Sequence, residues 1–129
     1  MHLRFLALGL LGLVATSAGA AAQDAANGEE VFKVCRACHQ VGEAAKNGQG
    51  PQLNGLFGRK SGTAEGFAYS EANKSSGVTW GEESFATYIA NPRTVMPGTK
   101  MAYAGLKDEG DIKDLIAFLK QFDAAGTKK

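Results

Sequence analysis

The apolar positions of this chain change their spacing several times from one end to the other, and each change marks an element. Arg4 precedes an apolar run from Phe5 to about Ala15, followed by small residues ending in alanines. That layout is the one of a secretory signal peptide, cleaved before Gln23, because the run falls well short of the roughly 20 apolar residues of a membrane-spanning helix. With no twin-arginine pair, export as an unfolded chain is expected. Residues 1–22 thus read as a leader and residues 23–129 as one domain, with no Pro/Ser-rich linker, internal repeat or second apolar stretch.

Within that domain Val31, Phe32, Cys35, Cys38 and His39 recur at helical spacing, and Asn27 with Glu30 resembles a capping box at the start. A helix is expected to run from there into the cysteines. Residues 40 to 68 carry glycines every few positions and no sustained period, which predicts loop and turns. Loops of such length are uncommon in compact domains unless they are functional, so this one needs an inside to wrap around. A short helix is expected over Ser70 to Ser75, and a longer one after Thr79, with Glu82 as its box partner and Phe85, Tyr88 and Ile89 on one face, until Pro92 stops it. NPRTVMPGTKMAYAG reads as an irregular loop pinned by Pro92, Pro97 and Gly98. From Asp108 to Phe122, Ile112, Leu115, Ile116, Leu119 and Phe122 form an apolar stripe behind an acidic first turn. Nothing alternates as a strand does, so the fold class is all-α with a high share of loop.

Composition changes this picture in one respect. Losing the leader removes His2, Met1 and Arg4, so His39 becomes the sole histidine, Met96 and Met101 the sole methionines, and the remaining cations equal the 13 acids. A formally neutral polypeptide gives no reason to expect nucleic acid or membrane as a partner; only the distribution of charge matters.

The chemistry lies in VFKVCRACHQ, where Cys35 and Cys38 are followed directly by His39. A thioredoxin-like pair needs a βαβ setting, and structural zinc needs four Cys or His ligands where the mature chain has three. A plain disulfide would leave His39 and the long loops unexplained. The remaining reading is C-x-x-C-H as a c-type haem attachment site, with two thiols for the porphyrin vinyl groups and an imidazole for the iron. The sixth iron ligand decides between an open, reactive iron and a closed electron-transfer site. Met101, presented by the Pro97–Gly98 turn, and Met96, in an apolar context suited to packing, both remain candidates, with Lys100 a third at high pH.

CRACH at 35–39, GPQLNGLFGRKSG at 50–62, GFAYSEANKSSGVTW at 66–80 and YIANPRTVMPGTKMAY at 88–103 resemble, in order, the motifs of class I cytochromes c, nearest to the bacterial cytochrome c2 subgroup. The resemblance implies a small all-α cytochrome c fold of several helices and long loops wrapped around one covalent haem c. It implies that His39 and Met101 are the axial ligands, and that the Pro51 carbonyl orients His39. Arg59, Tyr69, Trp80 and Thr99 match groups that bond the buried propionates, and Tyr88 and Asn73 a polar pair on the methionine side. Two departures are visible: Tyr103 stands where the family usually has Phe, and Val95-Met96 replaces an aromatic and aliphatic pair, which would put a second thioether near the haem. Leu53, Leu56, Phe67, Leu115 and Phe118 are the apolar candidates for the pocket.

Function follows from that resemblance as a monomeric periplasmic one-electron carrier, not an enzyme and not membrane-embedded. It would shuttle electrons from a quinol-oxidising cytochrome complex to a photosynthetic reaction centre or terminal oxidase. Arg36, Lys46, Lys60, Lys74, Arg93, Lys100 and Lys107 are expected to ring the exposed haem edge and dock acidic partners. Glu82, Glu83, Asp108, Glu109 and Asp111 are expected to lie away from it. A haem sensor or peroxidase would need an accessible iron and usually a distal acid or base, and no second mature histidine is present. A donor module tied to one dedicated enzyme would have the same haem chemistry.

Overall fold

Helix α1, Ala25–Phe32, begins because Asp24 caps it: its Oδ1 accepts the N–H groups of Ala26 at 2.9 Å and Asn27 at 3.1 Å. The computed structural model describes residues 23–129, so the signal-peptide reading lies outside the described residues. A 3₁₀ turn, Cys35–Ala37, follows, then α2 (Glu71–Ser75), α3 (Glu82–Ala90), α4 (Pro92–Val95) and α5 (Glu109–Leu119). Among the described residues β pairing is limited to two isolated bridges, Lys60 with Thr79 and Phe122 with Lys128, so the all-α expectation holds.

The first helix differs from expectation at both ends. Asn27 is not its cap; its Nδ2 donates to Asp114 Oδ2 at 2.8 Å and Asp111 Oδ1 at 3.3 Å, tying α1 to α5. Nor does the helix reach the cysteines, because the chain tightens at Lys33, whose N–H donates to Glu30 O, before the 3₁₀ turn. Where α1 crosses α5 the backbones touch: a Cβ on Gly28 would lie 2.0 Å from Asp114 O and 2.8 Å from Phe118 Cβ. Phe32 and Phe118 pack beside that crossing with ring centroids 5.2 Å apart, and Phe118 meets Phe122 at 5.4 Å.

Helix α5 follows its apolar stripe, with Ile112, Leu115, Ile116 and Leu119 buried and Asp108 Oδ1 accepting the Asp111 N–H at 2.9 Å. Helix α3 is capped at Gly81, not Thr79: Ser84 Oγ accepts the Gly81 N–H at 2.8 Å, while Glu82 reaches Lys120, the residue that ends α5, at 3.2 Å. Pro92 ends α3 as expected but also opens α4, because its missing N–H goes unused in a first turn. Only the stretch beyond Val95 is therefore irregular. Ser70 caps α2, and residues 40–68 are loop, held where buried Asn54 exchanges two hydrogen bonds with Gly42 at 2.9 and 2.8 Å.

Asp24 N–H donates to Asp114 Oδ1 at 2.8 Å, and this contact and Asn27 hold the Asp114 carboxyl below the usual carboxylate range, partly opposed by burial. A depressed native pKa contributes stability that is complete above the unfolded value of about 3.9 and lost as pH falls through the native value. Thermal melts of the holoprotein and Asp114→Asn should therefore differ most above about pH 4 and converge in acid; a constant gap would assign the difference to uncharged contacts.

Candidate haem site

Where α3, α5, the 3₁₀ turn and the loops meet, they leave a cleft of about 380 Å³, lined by Cys35, Cys38, His39, Met101 and every polar residue that the resemblance assigns to the haem. The 3₁₀ turn forms one rim. Cys38 and His39 both donate their N–H to Cys35 O, at 3.0 and 2.9 Å, which brings both thiols and the imidazole to one side. No disulfide joins the two cysteines, which stand where the thioether sulfurs of an attached haem would be.

His39 stands on one wall. Its Nδ1 lies 2.7 Å from Pro51 O, so Nδ1 carries the proton and donates, and the lone pair of Nε2 is left for a metal. Burial lowers its pKa, with Pro51 opposing and the Arg59 cation assisting; the neutral, ligating form is thereby favoured. Gly50 makes the wall possible, since a Cβ there would lie 2.3 Å from His39 Cε1.

Met101 stands on another wall. Tyr88, on α3, directs its hydroxyl at Met101 Sδ, 3.8 Å away, and burial raises the Tyr88 pKa against the pull of Thr99 and Asn73, so it remains a phenol and a donor. Thr99 Oγ1 accepts the Met101 N–H at 3.3 Å and donates to Asn73 Oδ1 at 3.2 Å. Ser70 Oγ donates to the same oxygen at 2.7 Å, so the start of α2 fixes the loop that carries the methionine.

Polar groups gather in the cleft. Arg59 donates to Gln52 O at 3.0 Å and Asn54 O at 3.2 Å, with burial lowering its pKa and Tyr69 opposing. Tyr69 Oη accepts the Ala64 N–H at 2.9 Å, which leaves its proton free to donate. Trp80 packs against Tyr88, centroids 4.9 Å apart. A half-buried guanidinium bonded only to carbonyls suits an anionic ligand group.

Two expectations fail here. Met96 is 4% exposed and packs in the hydrophobic core without lining the cleft, so no second thioether faces it; the turn at Pro97 and Gly98 separates the two methionines. Phe118, expected in the pocket, is held between Phe32 and Phe122, whereas Leu53, Leu56, Phe67 and Leu115 do line it. The sequence reading missed Gly50 as the residue that lets His39 approach the backbone, and Ser70 as a partner of Asn73. The first glycine of GPQLNG signalled only loop, and Ser70 only the start of a short helix.

The family described as Cytochrome c matches residues 25–123. The chain belongs to the cytochrome c family. It is similar to cytochrome c2 of Blastochloris viridis, 61% identical over 98% of this chain and all of that one, and to cytochrome c-550 of Bradyrhizobium diazoefficiens, 55% identical over 81% and 77%. The solved structure of cytochrome cH from Methylobacterium extorquens superposes with a TM-score of 0.71 at 45% identity, covering 75% of this chain and 97% of that one. As a class I cytochrome c of the c2 subgroup, the chain binds one covalent haem c and carries electrons; it is not an enzyme.

The cleft fits that group: two thiols at a rim, an imidazole and a thioether on its walls, and an uncompensated cation with hydroxyl donors among apolar side chains. Without a cofactor the apolar side chains that line this cleft would face water and lack packing partners, in a chain too short to bury a large core by itself. A Cys35→Ala, Cys38→Ala variant prepared without haem should accordingly lack native helical circular dichroism. A native-like spectrum would show that the chain closes without its cofactor.

Proposed function

We propose that this cytochrome is a periplasmic one-electron carrier whose iron is held between His39 and Met101. It would shuttle electrons from a quinol-oxidising membrane complex to a photosynthetic reaction centre or terminal oxidase. Residues 1–22 act as the leader that is removed on export, leaving 23–129 as the carrier. The observation that carries this reading is the pairing of an oriented, neutral imidazole with a hydrogen-bonded thioether in a single cleft.

Bound haem c supplies an iron that gains and loses one electron. Pro51 keeps the His39 ring from rotating and raises its donor strength. Tyr88, Thr99 and Asn73 keep Met101 in place, so neither ligand has to move between oxidation states. Arg59 and Tyr69, with Trp80, would donate to the propionates, whose charge is otherwise costly to bury, whereas Thr99 already gives its hydroxyl proton to Asn73 Oδ1. With haem held there, a thioether and an imidazole as ligands and the exclusion of water by Leu53, Leu56, Phe67 and Leu115 would both favour the reduced state and raise the potential.

In holoprotein, the ferric near-infrared methionine-to-iron band should be present in wild type and Met96→Leu and lost in Met101→Leu, with carbon monoxide not taken up by ferrous wild type. Ready carbon monoxide binding and no band in wild type would mean an open iron and a sensing or catalytic role.

Docking at the cleft mouth is supported by Lys60 and Lys100, which line the cleft, and by Val34, 64% exposed at its rim, which offers an apolar contact. Arg36, Lys46 and Lys74 are exposed as well, although Arg36 pairs with Glu29 at 3.2 Å and Lys74 with Glu71. Glu82, Glu83 and Glu109 are exposed in the first turns of α3 and α5. Bimolecular electron transfer to an acidic redox partner should slow as ionic strength rises, and more weakly in Lys100→Gln. A rate indifferent to salt would remove charge from the docking account.

A further inference from the structure

The last carbonyls of α3 are bonded by the segment that follows Met101. Leu106 N–H donates to Ile89 O at 2.8 Å, and Lys107 Nζ donates to both Ala90 O and Asn91 Oδ1. Gly105 permits this approach: its φ is +124°, and a Cβ would lie 2.2 Å from Ala90 O. From α4, Arg93 Nη2 donates to Ala102 O, the carbonyl next to Met101, at 2.9 Å. Both cations thus bond protein oxygens on either side of the same loop, and neither is paired with a carboxylate among the described residues.

We propose that Lys107 and Arg93 are positioning residues for Met101, straps that set how often its loop swings away from the cleft. The proposal rests on the His39/Met101 ligation above. At a helix C-terminus the unpaired carbonyls concentrate negative potential, and a lysine there makes charge-assisted hydrogen bonds stronger than those between neutral groups. Helix α3 also carries Tyr88, which donates to Met101 Sδ, so a loop strapped to α3 moves with the group that orients the sulfur. Removing a strap raises the population of the open loop. An outside ligand that takes the vacated iron position then binds in proportion to that population.

The experiment is an imidazole titration of ferric holoprotein at one pH, read by loss of the near-infrared band, for wild type, Lys107→Gln, Arg93→Gln, Lys107→Arg and Lys113→Gln. Lys113 is an exposed lysine of α5 that controls for loss of a surface charge. The apparent Kd for imidazole should fall about tenfold in Lys107→Gln and by a smaller factor in Arg93→Gln. It should stay within about twofold of wild type in Lys107→Arg, which keeps the charged donor, and in Lys113→Gln. A Kd for Lys107→Gln within twofold of wild type, or matched by Lys113→Gln, would overturn the strap while leaving the ligation standing. Wild type lacking the band altogether would overturn both.

Discussion

An imidazole and a thioether have to share a cleft that the protein's own side chains do not fill, and the rest of the structure answers to that requirement. Helices alone do not meet it. They supply the frame, α1 crossing α5 at Gly28 and α3 lying against α5, while His39 and Met101 sit on turn and loop between those helices. Loops can hold a side chain only where their backbone has partners, and here the partners are specific: Pro51 for the imidazole, Thr99 and Asn73 for the segment that carries the sulfur. The apolar side chains that line the cleft then have a cofactor face to pack against, in a chain too short to bury a large core alone.

What could be read from the sequence divides along the same line. The stripe of α5 repeats at a helical period, and its burial follows from geometry. The cysteine and histidine cluster was legible because covalent attachment and metal ligation admit few residue types at one spacing. Caps were not, since Asp24 and Asn27 both offer a suitable acceptor, and the choice turned on Asp114, distant in sequence, drawing Asn27 away. Phe118 shows a related limit: periodicity places it on the buried face but cannot say whether α1 or the cleft lies opposite.

Arg59, Tyr69, Asn73 and Thr99 mark the other boundary. They lie in loops or in a single helical turn, where no period exists, and only the resemblance to cytochromes c singled them out. The geometry then gave each a physical partner: carbonyls of the 50s loop for Arg59, the Ala64 N–H for Tyr69, and each other for Asn73 and Thr99. Gly50 escaped because its importance is an absence, the Cβ that would collide with His39, and an absence has no signature beyond being glycine.

Formal neutrality conceals a division of labour among the cations. Those bonded to main-chain carbonyls, Arg59 within the cleft and Arg93 and Lys107 about the methionine loop, act over hydrogen-bond distance. Mobile ions compete poorly at that range and most effectively between exposed charges a Debye length apart, about 8 Å at physiological ionic strength. Lys60, at the rim of the cleft, and exposed Lys100, whose bond to Ala68 O is long at 3.4 Å, are open to that screening. On the docking and ligation proposed above, salt would act on how the carrier meets a partner far more than on how it holds its iron. A protein built this way can bind and release successive partners while its ligand geometry stays the same, which is what repeated one-electron transfer demands.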